Sequence, residues 1–165
     1  MRKVNLLAAF AALIVSLLVS PASAQNNPVL EKNKAVARRL FEEALSQSKW
    51  DVFEQIHAKN FVGHSAKRDV TLAEDLESAK QWAQAFPGGT CEVNQLIAEG
   101  DMVVVRWTAS GTNTAAGNGL PATGKSARVT GITIFRVKDG LLSEEWGLID
   151  MWGLLKQLGL AQPLK

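Results

Sequence analysis

Apolar positions recur along this chain with two periods, and the change from one to the other comes about halfway. Between Glu31 and Ser46, Val36, Ala37, Leu40, Phe41, Ala44 and Leu45 fall at three- and four-residue steps, which predicts an amphipathic helix. Trp50, Phe53 and Ile56 predict a short second helix, and Phe61-Val62-Gly63-His64 a brief extended piece. Thr71 followed by Glu74 is a capping-box start for a third helix. Its apolar face is Leu72, Leu76, Ala79, Trp82, Ala83 and Phe86, and Pro87-Gly88-Gly89 ends it. Beyond Gly89 the period falls to two, with strands over Cys91–Ala98, Met102–Thr112, Ser126–Val137 and Leu141–Ile149, then an apolar helix from Met151 to Leu158. Helices first and a strand meander after them predict an α+β fold, with N-terminal helices over one face of a curved antiparallel sheet.

The last two strands meet at Lys138-Asp139-Gly140. A two-residue turn at Asp139-Gly140 and a bulged three-residue turn differ by one position in register. That difference exchanges the two faces of the strand. The facing of Trp107 and Trp146 therefore stays open, and each is either a cavity wall or plain core. Asp150 follows the last strand, among Leu148, Ile149, Met151 and Trp152. An acid in apolar surroundings is expected to hold its proton more tightly and to exchange it near neutrality. As the residue before a helix it is equally suited to capping, and the two roles are compatible.

Charge changes the picture at the N-terminus. Arg2 and Lys3 precede an uncharged apolar run from Leu6 to Val19 and then Pro21-Ala22-Ser23-Ala24, the layout of a cleavable export signal over residues 1–24. The run is shorter than the ~20 residues that span a bilayer, so no stable membrane insertion is expected after cleavage. Periplasm and external medium both fit. Cleavage after Ala24 would leave 141 of the 165 residues, with Arg2 and Lys3 the only charges lost. The 18 basic residues then fall to 16 against 16 acidic ones, so the processed chain is formally neutral and has no basic stripe for nucleic acid. Residues 25–30 read as a linker, 31–160 as one domain and 161–165 as a tail. Cys91 is the sole cysteine, which excludes an internal disulfide and suits a small strand residue better than a reactive thiol. With two histidines and one cysteine, a dedicated zinc site is not expected, nor is a cofactor. His57, beside Lys59 and Asn60 at a predicted helix end, is expected in solvent.

Gly119 to Ser126 fits G-x-x-x-x-G-K-[ST] letter for letter. That loop holds phosphate because a helix follows and directs amides and a dipole at it. Here the following residues, Ala127 to Phe135, alternate as a strand. The match reads as accidental, and the segment as a long connection stiffened by Pro121.

Several blocks together carry a resemblance. They are Arg106-Trp107 to Gly111, Leu120-Pro121 to Lys125, Gly131-Ile132, Phe135-Arg136 to Gly140, and Glu144, Trp146 and Asp150 with Leu154 to Gly159. With Phe61 to His64 and Ala85-Phe86-Pro87 they resemble the SnoaL-like polyketide cyclases (ester cyclases) of the nuclear-transport-factor-2-like superfamily, over about Lys34 to Gly159. The resemblance implies a cone of curved sheet and helices around an apolar pocket, a cystatin-like α+β barrel. It also implies that Asp150 is the acid/base of an intramolecular aldol closure on a carbonyl compound, with His64 as proton partner or oxyanion donor. On residues alone, His64 is equally a histidine satisfied at a strand edge. The absence of Tyr excludes the tyrosine-based sites of ketosteroid isomerases and of the scytalone-dehydratase type. Arg106 is followed by Trp107-Thr108, so the Arg-x-Asp arrangement of limonene-epoxide-type hydrolases is missing. Residues 126–138 also lack the supporting strand histidine that the cyclases carry.

Two readings stand. One is a small pocket enzyme, cyclase- or isomerase-like, using Asp150 and His64 with Trp107 and Trp146 about the substrate. The other is a non-catalytic exported domain that holds an apolar small molecule, which the export signal favours. A homodimer through the outer face of the sheet is compatible with both.

Overall fold

Asn27 caps the first helix by accepting from the Val29 amide at 3.0 Å, and Pro28 fills the first helical position, where its missing N–H has no partner to lose. The structure, a computed structural model, describes residues 27–161; the expected export signal and residues 162–165 of the expected tail lie outside them. Helix α1 (Pro28–Arg39) therefore takes up half of the expected linker. It continues into a π-helical stretch, Leu40–Leu45, where the Phe41 carbonyl accepts from the Ser46 amide five residues on at 3.1 Å. Then follow α2 (Trp50–Ile56), β1 (His57–His64), β2 (Asp69–Thr71), α3 (Leu72–Ala85), β3 (Thr90–Glu99), β4 (Met102–Thr112), β5 (Ser126–Lys138), β6 (Leu141–Ile149) and α4 (Met151–Leu158). The capping box of α3 is complete: the Thr71 amide donates to the Glu74 carboxylate at 2.8 Å, and the Glu74 amide to Thr71 Oγ1 at 3.4 Å. Among the described residues, no helix is long and apolar enough to cross a membrane.

The strands form one curved, unclosed sheet in the order β2-β1-β6-β5-β4-β3. It is mixed where the periodicity predicted antiparallel pairing throughout, because β1 leaves α2 already extended and lies parallel to β6. Residues 57–60 were too polar to announce that strand. On the concave face, Phe41, Phe53, Ile56, Val103, Phe135 and Leu142 pack into the main core. Each aromatic removed from water here stabilises the fold by about 1.5–3 kcal/mol.

The β5–β6 hairpin decides which side chains join that face. Asp139 and Gly140 both have positive φ, 52° and 77°, as a two-residue primed turn requires, and Lys138 pairs with Leu141 across it. Val137 pairs with Leu142, but Arg136 then pairs with Glu144, leaving Ser143 as a bulge whose hydroxyl donates to the Arg136 carbonyl at 3.1 Å. The bulge resets the alternation. Glu145, Gly147 and Ile149 face inward opposite Phe135, Thr133 and Gly131, while Glu144, Trp146 and Leu148 face outward.

Candidate functional site

Helices and concave sheet enclose a cavity of about 840 Å³. Its wall is mainly apolar, with Phe41, Leu45, Ala79, Trp82, Trp107 and Val129 prominent. Trp107 lies across Gly131 of the neighbouring strand, where a Cβ would run into the indole ring and come within 2.8 Å of the Leu148 carbonyl. Laid flat, the indole donates from Nε1 to Thr133 Oγ1 at 2.9 Å and meets the Phe41 ring at 5.8 Å. The π-helical stretch brings Leu40, Phe41 and Leu45 to the wall, and Ser46 ties it down. The Ser46 hydroxyl accepts from the Cys91 amide at 2.7 Å and sits 2.8 and 2.9 Å from the Phe41 and Cys91 carbonyls. Burial pushes the neighbouring Cys91 thiol up to about 11, so it is a protonated wall residue.

Within this cavity stands one group of titratable side chains. Asp75 from α3 and Glu145 from β6 line it, and His57, the first residue of β1, stands behind them. One nitrogen or oxygen from each lies within 4.8 Å of the others. His57 is only 3% exposed, stacked on Phe53 at 4.4 Å and meeting Phe61 edge-on at 4.8 Å. Its Nδ1 lies 2.6 Å from the Phe53 carbonyl, which can only accept, so Nδ1 carries the proton. Burial lowers the imidazole to about 4, so it is neutral and Nε2 is a bare acceptor. Nε2 has no hydrogen-bond partner among the described residues. Burial raises both carboxyls, Asp75 to about 6 and Glu145 to about 8, the latter helped by the charge on Asp75. Both carboxyl-bearing residues are half-buried in the cavity wall. Two raised carboxyls this close titrate as a unit, ionisation of one opposing ionisation of the other.

The residues singled out from sequence are dispersed. Trp107 lines the cavity and Trp146 does not. Trp146 is on the outer face, stacked on His64 at 4.6 Å with the Arg136 guanidinium 5.8 Å from its ring. His64 shares that outer face, its Nε2 3.0 Å from Glu144 and its Nδ1 3.0 Å from Asp69. Those two contacts, Glu144 first, raise its pKa above the ordinary 6.5. Glu144 in turn accepts from Arg136 at 2.8 Å and is lowered, chiefly by His64. His64 therefore belongs to an outer charge network rather than to the cavity. Asp150 is exposed despite its apolar neighbours, because its carboxylate turns to accept from the Gly153 amide at 2.8 Å and caps α4. The expected burial of Asp150 is thus absent, although Ile149 and Met151 on either side of it reach the cavity. His57 reverses the expectation of a solvated helix end. The phosphate-loop match, Gly119 to Ser126, leads into β5 with Lys125 exposed and no helix after it.

A family model described as SnoaL-like polyketide cyclase matches residues 35–158. Among solved structures, a candidate SnoaL-like polyketide cyclase from Jannaschia sp. CCS1 superposes with a TM-score of 0.75 at 23% identity, over 83% of this chain and 97% of that one. AclR from Streptomyces galilaeus, described as a candidate hydroxylase, gives 0.74 at 24% identity over 82% and 90%. IdmH from Streptomyces antibioticus, a candidate polyketide cyclase, gives 0.68 at 26% identity over 77% and 98%. No curated protein matches the chain.

Proposed function

The chain belongs to the SnoaL-like polyketide cyclase family, and from that footing we propose that it moves protons on a carbonyl-containing small molecule with a cyclase- or isomerase-like outcome. The observation that carries this reading is the Asp75–Glu145 carboxyl pair set in the wall of an apolar cavity. A carboxylate shielded from water is a stronger base than the same group in solution, and its protonated partner supplies the acid. At a carbon flanking a carbonyl, the ionised carboxyl removes the proton and the protonated one stands ready to return it. Trp107 and Phe41 offer flat apolar surface to hold the reacting carbon near the pair. The family resemblance gives this role to Asp150. We assign it to Glu145 because Asp150 is exposed and occupied with its helix end. We further propose that residues 1–24 direct export, on their charge and hydropathy pattern alone.

The test is hydrogen–deuterium exchange at the α-carbon of an aryl ketone too weakly acidic to exchange quickly in buffer, followed by NMR. Glu145→Gln should slow protein-catalysed exchange about 10²-fold or more, and Asp150→Asn should leave it within a few-fold. The reverse pattern would return the chemistry to Asp150. Saturable ketone binding without exchange would favour the non-catalytic binding domain.

A further inference from the structure

We propose that His57, Asp75 and Glu145 form a binding site for one divalent transition-metal ion, with its open coordination side turned to the cavity. The proposal rests on the pocket assigned above to acid/base chemistry and adds a regulator to it. Three donors arrive from three separate elements, β1, α3 and β6, and meet within 4.8 Å. Metal–ligand bonds of about 2.0–2.2 Å at tetrahedral angles place donors about 3.3–3.6 Å apart, so side-chain rotations that close the separation by roughly 1 Å complete the site.

The histidine carries the argument beyond an acidic cluster. A metal-binding imidazole characteristically donates its other N–H to a backbone carbonyl or carboxylate, which fixes the tautomer and aims the bare nitrogen. His57 does this through Nδ1 and the Phe53 carbonyl at 2.6 Å. Its Nε2 is buried and has no partner among the described residues, and the ring stands beside the carboxyl pair, with a ligand atom within 4.8 Å of one from each acid. A buried acceptor without a donor costs free energy that a bound ion would offset. Two carboxylates and a neutral imidazole around a dication sum to zero charge, the arrangement a desolvated site tolerates best.

Donor chemistry selects the ion. An imidazole nitrogen with two carboxylates suits Zn²⁺, Co²⁺ or Mn²⁺, whereas Ca²⁺ wants six to eight oxygens and Mg²⁺ retains its waters. Counting histidines and cysteines in the sequence misses such a site, because two of its three donors are acids. The ion would occupy the lone pairs with which Glu145 takes a proton. Ion-loaded and proton-transferring states then exclude one another, and Zn²⁺ acts as a reversible inhibitor.

Chelator-stripped, dialysed protein should bind one Zn²⁺ per chain by calorimetry, and Co²⁺ bound in its place should show visible d–d absorption. Loss of a mere outer partner of a ligand weakens metal sites about 10- to 100-fold, so Glu145→Gln and Asp75→Asn should each cost at least that. Both changes remove buried charge and keep side-chain shape, and far-ultraviolet circular dichroism verifies their folding. His64→Ala on the outer face should bind like wild type. No Zn²⁺ uptake, uptake unchanged in both carboxyl variants, or uptake lost only in His64→Ala would overturn the site. Failure of the acid/base reading looks different: Zn²⁺ binds and depends on Glu145, but ketone exchange is indifferent to both Zn²⁺ and Glu145→Gln.

Discussion

Glu145→Gln keeps the shape of a side chain in the cavity wall and removes its ability to ionise. In chelator-treated protein the variant and wild type should differ in how stability depends on pH. The Glu145 carboxyl rises from the ordinary 4.5 to about 8, through burial first and then the charge on Asp75. A raised value in the folded state means that the native protein keeps a proton which the unfolded chain releases above about 4.5. Wild-type stability therefore falls as pH climbs from about 4.5 to about 8 and levels off beyond. At 1.36 kcal/mol for each tenfold change in proton affinity, the span sets an upper bound of about 5 kcal/mol. Asp75 shares the proton and the cavity admits water, so roughly 1–3 kcal/mol is the reasonable expectation. His57 acts in the opposite sense. Lowered to about 4, it contributes stability that is present above 6.5 and lost as pH falls, but it is common to both proteins and leaves their difference largely untouched. Urea unfolding at pH 5, 7 and 9 reads the difference. The variant should gain on wild type with each step and be the more stable by about 1–3 kcal/mol at pH 9. Parallel profiles would mean that the carboxyl is hydrated, and the physical basis for placing the chemistry on Glu145 would be gone.

Asp150→Asn should cost less than about 0.5 kcal/mol and Asp150→Ala about 0.5–2 kcal/mol, the signature of a cap; equal losses in urea unfolding would refute that role. Gly131→Ala forces a Cβ against the Trp107 ring and should destabilise by about 1–3 kcal/mol, partly recovered in a double variant with Trp107→Phe. No loss in thermal melts would show that the indole has room to move. In an NMR titration His64 should ionise above the ordinary 6.5, and Glu144→Gln should bring it down, since Glu144 is its strongest partner. An unmoved midpoint would dissolve the outer charge network.

The elements were legible because their signals are local. The capping box at Thr71, the strand alternation after Gly89 and the primed turn at Asp139-Gly140 are each written within a few residues. The site was not, because it depends on one unpaired residue. With the turn alone, Glu144 would oppose Phe135 and face the cavity; Ser143 bulges, and Glu145 takes that place instead. Two adjacent acids thus meet opposite fates, one lowered between His64 and Arg136, the other raised in an apolar wall. Asp75 reads as an ordinary acid in the first turn of a helix, and only the sheet opposite makes it unusual. Asp150 misled in the other direction, since apolar neighbours in sequence do not bury a side chain that turns toward its own helix.

The order β2-β1-β6-β5-β4-β3 also bears on when the fold can form. β1 finds its second neighbour only in β6, and His64 and Glu144, which join them, stand 80 positions apart. Closing so long a loop is slow, so an emerging chain carries β1 with only the three-residue β2 beside it until nearly all of the domain has been made. Completion waits on the far end. The same arrangement makes the C-terminus an unforgiving place to shorten. Loss of β6 would not trim an edge but remove the sheet's third member and part the second from the fourth, stranding β1 and β2 from the rest.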